Sequence, residues 1–330
     1  MAKKKVLIIT HSQDNASTGK VVNFINEAGG EAIRFNVDRY PMDYNLTTSF
    51  TDNKWQVILS DGINTYDLSE LSSVWYRRSF NLGAGLKETL PKEFLGPTIR
   101  ELQHTLFGML EALPCFQIAK YSMYRRLDSK EEQLRMAVKH GLKVPATCIT
   151  NSPGQARAFT EKQKPVVAKM QSSFAVYKGE EEHVVFTNEI TDEHLQDMSS
   201  LQLCPMTFQQ KLTKKLELRV TIVGKKIFAF SIDSQKMDNA RVDWRKEGAA
   251  MVQDWKPYEL PPGIQSKLLA FMDDYILNYG AIDLILTPDD EYYFLEINAA
   301  GEYFWLDMLC NYEISKQIAA VLLGDADRRA

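Results

Sequence analysis

This sequence predicts an α/β protein divided into more than one domain, and three observations lead there. A short β-branched run, Val6 to Thr10, gives way to polar His11-Ser12-Gln13-Asp14 and then to a helical apolar pattern from Thr18 to Glu27 that stops at Gly29-Gly30. Further strand-like runs and helical patterns alternate behind it, the arrangement that builds a sheet covered by helices. Toward the C-terminus, paired apolar runs close around tight polar turns, which is the pattern of antiparallel strands.

Each element follows from its own chemistry. Ala32 to Val37, Trp55 to Ser60 and Ser73 to Tyr76 read as strands, so residues 1–118 form a first α/β domain. Its opening loop lacks G-x-G-x-x-G, and no dinucleotide is assigned to it. The cluster Trp75-Tyr76-Arg77-Arg78 reads either as a ligand contact or as an amphipathic strand end. Pro97 to Ala112 carries apolar residues at helical spacing and is ended by Pro114. Asp128 or Ser129 caps the next helix, which ends at Gly141, and a strand follows Pro145. Pro165 to Met170 and His183 to Thr187 read as arms of a long hairpin around an exposed polar connection, within a central domain at 119–205. In the last domain, 206–330, Leu216 to Val223 turns at Gly224-Lys225 into Ile227 to Ile232, and a helix runs from Ile264 to Asn278.

Bulk properties exclude several classes. With 45% hydrophobic and 25% charged residues the 330-residue chain has the make-up of a globular protein able to build a sizeable core. A formal charge of -4 argues against a protein built to neutralise nucleic-acid phosphates. Cys115, Cys148, Cys204 and Cys310 form no C-x-x-C pair, so they read as buried thiols in a reducing compartment and not as a zinc or disulfide framework. The apolar stretch after Lys3-Lys4-Lys5 is too short for a signal peptide, and no run approaches the ~20 apolar residues of a membrane span. A cytoplasmic protein is expected.

The chemistry concentrates in Ala281 to Asn298, two apolar strands flanking Pro288-Asp289-Asp290-Glu291. With those four residues as the loop, Thr287 pairs with Tyr292, Asp283 falls opposite Glu296, and Asn298 shares their face. Opposed like charges destabilise a sheet unless a cation lies between them, and buried in apolar runs an unpaired charge is costly. Two carboxylates and an amide suit Mg²⁺ better than zinc, which favours His or Cys. Magnesium on a sheet in turn implies a phosphate-bearing substrate. Lys169, inside an apolar strand, and Lys130, at a helix N-terminus where dipole logic favours an acid, are the cations placed to meet phosphates, although solvation would account for either one alone.

From Asp128 to Asn298 this order of two lysines, a connector and a closing D…E-x-N motif resembles the ATP-grasp superfamily. The resemblance implies an ATP-grasp fold with an N-terminal Rossmann-like pre-ATP-grasp domain. It also implies that Lys130 and Lys169 contact phosphates of ATP, that Gln209, Gln210 and Lys211 surround adenine, and that Glu217 holds the ribose. Arg219 and Arg245 would neutralise the transferring phosphoryl group, and Asp283, Glu296 and Asn298 would hold Mg²⁺. The connection after Lys169 departs from the pattern, because it lacks the glycine-rich phosphate loop of many ATP-grasp enzymes.

Closer still is the resemblance to microviridin-type graspetide ligases, through Ser-Ser-Val-Trp-Tyr-Arg-Arg (72–78), Cys-Pro-Met-Thr-Phe-Gln (204–209), Asp-Trp-Arg-Lys-Glu-Gly (243–248) and Asn-Tyr-Gly-Ala-Ile-Asp (278–283). It implies a homodimer that binds a ribosomal precursor peptide of leader and core. Glu180, Glu181, Glu182 and Asp192 would then meet a leader arginine, a solvated acidic turn being the other reading. A Glu or Asp of the core would be activated as an acyl phosphate and a peptide nucleophile would close the ring. The phrase Ala299-Ala300-Gly301-Glu302 resembles the amide-forming branch, in which a peptide Lys attacks, more than the ester-forming one. A small-molecule carboxylate–amine ligase and a catalytically silent peptide-binding module are the competing readings.

Overall fold

The computed structural model describes residues 3–172, 175–178, 181–236 and 252–329, with the side chains of 175–178 and 181–184 outside the description. Arg245 and Glu180 therefore lie outside the described residues, as do the side chains of Glu181 and Glu182.

The first strand, β1 (Lys5–Thr10), is buried along five of its six positions, which is what a central parallel strand requires. Helix α1 (Ala16–Glu27) follows, its first turn capped by the Asn15 side chain accepting from the Ser17 N–H. Strand β2 (Glu31–Asn36) pairs parallel with β1. The run predicted at Trp55 to Ser60 is a strand but belongs elsewhere: β3 (Asn45–Thr51), β4 (Lys54–Ser60) and β5 (Thr65–Asp67) make a separate antiparallel sheet. The parallel sheet is completed by β6 (Ser73–Tyr76) and, beyond helices α2 (Leu86–Thr89) and α3 (Lys92–Ala112), by β7 (Phe116–Gln117), in the order β2-β1-β6-β7. Helix α3 starts five residues before the expected Pro97, which sits inside it.

Helix α4 (Tyr121–Leu127) leads to α5 (Lys130–Lys139), whose cap is Ser129 accepting from the Glu132 N–H. Next come β8 (Thr147–Thr150), α6 (Pro153–Gln163) and β9 (Val166–Lys169). The expected long hairpin is divided: β10 (Ala175–Lys178) pairs with β11 (Glu181–Val184) alone, whereas β9 pairs with β12 (Asn188–Glu189). Past α7 (Asp192–Gln196), β13 (Met206–Gln210) completes a sheet ordered β12-β9-β13-β8.

The largest sheet holds β14 (Leu216–Val223), β15 (Lys226–Ile232), β16 (Lys256–Pro257), β17 (Tyr279–Leu286) and β18 (Tyr292–Asn298), ordered β16-β15-β14-β17-β18. Helix α8 (Pro262–Asp274) ends four residues before the expected Asn278. Asn278 is instead fully buried, and its side chain exchanges two hydrogen bonds with the backbone of Arg329. Helices α9 (Phe304–Leu309) and α10 (Glu313–Leu323) close the chain.

One apolar cluster spans the parallel sheet and the large sheet: Ile8 and Trp75 from the first, Phe230 and Tyr279 from the second, and Ile318 and Leu322 from α10 between them. With each such side chain contributing ~1.5–3 kcal/mol, this shared core fixes the two sheets against each other and so fixes the cleft they border. The four cysteines are free but half-buried, where full burial was expected. Among the described residues no helix is long and apolar enough to cross a membrane.

Candidate functional site

The backbone ladders of the large sheet set the spacing of its charges. Arg219 on β14 lies opposite Asp283 on β17, and Asp283 lies opposite Glu296 on β18, so the three form one row across adjacent strands. The register differs from the sequence expectation by a compensating pair of changes. Tyr292 pairs with Leu286, not Thr287, and an irregularity between Asp283 and Leu284, which leaves Leu295 without a partner, restores Asp283 to Glu296. Arg219 Nη1 donates to Asp283 Oδ1 at 2.8 Å, and Lys130 Nζ, from the start of α5, donates to Glu296 Oε2 at 2.7 Å. Cations thus flank two neighbouring carboxylates. Burial is the largest single influence on the Arg219 guanidinium and works to lower its pKa, but the Asp283 charge and hydrogen bond, with the charges of Tyr279 and Glu296, together outweigh it, so the pKa is raised.

Asn298 pairs with Ala281, two residues from Asp283, and therefore shares the face of the row; its Oδ1 accepts from the Ala300 N–H at 3.0 Å. Among the described residues no three His, Cys, Asp or Glu side chains gather as a metal-holding group. The donor set here is two carboxylates and an amide, whose hard oxygens fit Mg²⁺ and whose like charges would be relieved by it.

A cavity of about 420 Å³ opens over this row. On its far side β13 pairs with β9, setting Thr207 opposite Lys169, so Lys169 and the strand leading to Gln210 border one space. Gln209 is 4% exposed and donates to Thr147 Oγ1 at 3.0 Å, and Lys211 pairs with Glu189 at 2.6 Å. Val167, Ile285 and Leu295 supply apolar surface for a flat ring. Glu217 lines the same cavity, paired with Lys214 at 2.8 Å; burial raises its carboxyl pKa and Lys214 offsets that only in part. Lys214 was not singled out from the sequence. Lys130 borders a second cavity instead and reaches the row through Glu296.

That second cavity, about 860 Å³, shares Lys169, Thr187, Glu296, Asn298 and Glu302 with the first. Its opposite wall comes from the parallel sheet and the helices after it, with Arg78, Phe107 and Tyr121 among its residues. Arg77 is no amphipathic strand end: it is 2% exposed, and its Nη2 donates to Glu302 Oε2 and its Nη1 to the Ala300 carbonyl, both at 2.6 Å. Arg78 pairs with Glu302 Oε1, and Asn15 Nδ2 donates to Glu302 Oε2 at 2.8 Å. Asp14 lies 3.8 Å from Arg77. These groups stand at the carboxyl ends of β1 and β6, where parallel sheets place ligands, and that is the signal by which the sequence could have marked them. The 299–302 loop meets Arg219 from the other side, through the Glu302 carbonyl at 2.9 Å. Gly301 makes this closeness possible, since a Cβ there would lie 2.5 Å from Ala281 Cβ and 2.9 Å from Arg219 Nη2.

Asp192 stands apart from both cavities, 86% exposed at the start of α7 and paired with Lys164 at 2.5 Å. The β10–β11 hairpin sets Tyr177 opposite Glu182 and Lys178 opposite Glu181.

Two family models match the chain in succession. Residues 5–125 match the MvdD pre-ATP grasp domain and residues 128–322 the RimK-like ATP-grasp domain. None of the curated proteins matches the chain. Among solved structures, a RiPP-associated ATP-grasp ligase of Chryseobacterium gregarium in complex with ADP, leader and core peptide is 50% identical with a TM-score of 0.96, over 99% of this chain and 98% of that one. Macrocyclase MdnC of Microcystis aeruginosa MRC, bound with precursor peptide MdnA, is 38% identical with a TM-score of 0.88, over 97% and 99%. Macrocyclase MdnB of the same organism is 32% identical with a TM-score of 0.80, again over 97% and 99%. By these matches the chain belongs to the ATP-grasp ligases of the microviridin-type, precursor-peptide macrocyclase family.

Proposed function

We propose that this ligase uses ATP to activate a Glu or Asp side chain of a ribosomal precursor peptide and lets a nucleophile of the same peptide close a ring. The observation that carries this reading is the row Arg219, Asp283, Glu296 and Lys130 at the seam of the two cavities, one of about 420 Å³ bordered by Lys169, Gln209 and Glu217 and the other larger and lined by Arg78 and Lys130. Lys169 and Lys130 would hold phosphates, Gln209, Gln210 and Lys211 the adenine, and Glu217 the ribose. Mg²⁺ held by Asp283, Glu296 and Asn298 would neutralise phosphate charge. A carboxylate oxygen of the peptide takes the γ-phosphoryl group and ADP leaves. The nucleophile then adds to the acyl carbon, loses its proton, and expels phosphate. Phosphoryl transfer asks the protein mainly for positioning and charge, which is what the cleft supplies.

An amide with a peptide Lys is the reading that the 299–302 phrase favours. Ester closure by Ser or Thr is a second reading, favoured by the charge of the second cavity, where Arg77, Arg78, Arg125, Lys130 and Lys169 outnumber Asp128, Glu296 and Glu302. A neutral hydroxyl enters such a chamber without the repulsion an ammonium meets. A homodimer, leader contacts from Glu180, Glu181, Glu182 and Asp192, and a cytoplasmic location belong to the same proposal.

The test is mass spectrometry of the MdnA precursor after incubation with the protein, ATP and Mg²⁺, with and without its leader. Leader-dependent loss of water supports the macrocyclase, and mapping the new bond to Lys or to Ser and Thr decides the ring type. No mass change, alongside ATP hydrolysis stimulated by small acids and amines, would replace it with a small-molecule ligase.

A further inference from the structure

Two negative groups must meet in this cleft, a terminal phosphate and the carboxylate that attacks it, and each needs its own cation. On the nucleotide side the assignments above already commit Lys130, Lys169 and Arg219. On the acceptor side, Arg125 is 67% exposed and held by Asp128 at 2.7 Å, and Arg77 is enclosed by Glu302, the Ala300 carbonyl and Asp14. Arg78 differs from both. It lines the second cavity and not the first, its side chain is 17% exposed, and its guanidinium lies over the Phe80 ring at 5.2 Å.

We infer that Arg78 receives the peptide carboxylate that the enzyme activates, an inference that rests on the macrocyclase reading. Its present partner shows how. Glu302 Oε2 is tied down independently by Arg77 at 2.6 Å and Asn15 at 2.8 Å, and only Oε1 turns to Arg78. Glu302 thus occupies a single Nη2 of Arg78 and leaves the rest of a planar fork that matches a carboxylate with two parallel hydrogen bonds. The Phe80 ring restricts how the fork can turn, so little rotamer freedom is lost on binding. Burial, with Arg77 beside it, pushes the Arg78 pKa down to about 10, the mark of a cation whose site would gain from a further anion. A carboxylate on Arg78 stands next to the 298–302 loop, which also contacts Arg219, and so beside the row that faces the nucleotide.

The experiment titrates ADP- and Mg²⁺-loaded protein, wild type and Arg78→Gln, with MdnA and with MdnA whose core Glu and Asp residues are replaced by Gln and Asn. Wild type should bind the carboxylate form roughly tenfold more tightly, the size expected of one charge-assisted hydrogen-bonded pair, and Arg78→Gln should bind both alike. Arg78→Lys, which keeps the charge and loses the fork, provides a second check: its KM for MdnA should rise while its KM for ATP stays. Discrimination in Arg78→Gln equal to that of wild type, or an unchanged KM for MdnA in Arg78→Lys, overturns the Arg78 assignment and leaves the macrocyclase reading standing. Failure of the wild-type protein to bind or modify MdnA overturns both.

Discussion

The wall proposed for the nucleotide and the wall proposed for the acceptor carry similar charges but anchor them in different ways. On the first, Arg219, Asp283 and Glu296 come from neighbouring strands, so the hydrogen-bonded ladders fix their spacing whether or not the side chains attract one another. On the second, Arg77 and Arg78 leave the end of β6 and meet Glu302, more than 220 residues further along the chain. There the side chains themselves make the connection between the parallel sheet and the loop after β18. Substitution on the first wall should therefore leave the strand spacing intact and show mainly in turnover, whereas on the second it should break the connection to the loop and show in stability as well.

Asp283→Ala and Glu296→Ala test the first half of that contrast and carry the largest expected effect. Each should lower turnover by roughly a hundred- to a thousandfold, the range for removing a preorganised electrostatic group, while circular dichroism still reports the wild-type fold; Asp283→Ala also leaves buried Arg219 without its partner and should lose stability, which Glu296→Ala should not. Near-normal turnover in either would sink the metal assignment, and chelation of divalent ions should reproduce the loss in the unmodified enzyme. Arg77→Ala tests the other half. Removing one member of a buried ion pair leaves Glu302 and Asp14 without their shared cation, at about 3–5 kcal/mol in urea unfolding. A cost below about 1 kcal/mol, the value of a surface pair, would erase the difference between the walls.

Gly301→Ala probes the point where the walls touch. The added Cβ meets Ala281 Cβ at 2.5 Å, and this neighbour sits on a strand and cannot swing away, so overpacking of about 1–3 kcal/mol is expected together with displacement of Arg219. Wild-type stability and turnover in Gly301→Ala would show that the loop is free to shift and that the closeness seen here is not required.

The same contrast explains how much could be read from the sequence. Asp283 opposite Glu296 was legible because two acids interrupt apolar alternation on either side of a turn, a local pattern. Even so, the route was wrong in detail: the loop takes one residue more than expected and the irregularity beside Asp283 returns it. Strand β4 was legible as a strand, but its sheet was not, because pairing with β3 and β5 is decided by residues that show little alternation themselves. The helix expected to reach Asn278 stops early, the backbone turning into the left-handed region at Ile276, and the Asn278 amide is taken up by the backbone of Arg329, far away in sequence. Arg77 illustrates the limit most plainly. Nothing local distinguishes an arginine that will be buried from one that will be solvated, and its burial depends on Glu302 arriving from the other end of the chain.

Asp14 offers the smallest and sharpest test, because it belongs to the acceptor wall without lining either cavity. Burial alone would raise its carboxyl, but Arg77 and the hydrogen bonds from Thr10, Thr18 and the Asn15 N–H outweigh burial, and its pKa lies below the usual value. A carboxyl depressed in the folded state contributes stability that is fully present above its unfolded pKa of about 3.9 and is lost as pH falls through the folded value. Asp14→Asn should therefore be less stable than wild type at neutral pH, with the deficit shrinking as the pH drops below about 4. Urea unfolding across that range reads the difference. A deficit that persists unchanged into acid would mean that Asp14 acts through packing and not through its charge on Arg77, and the acceptor wall would then resemble the nucleotide wall in being held by shape.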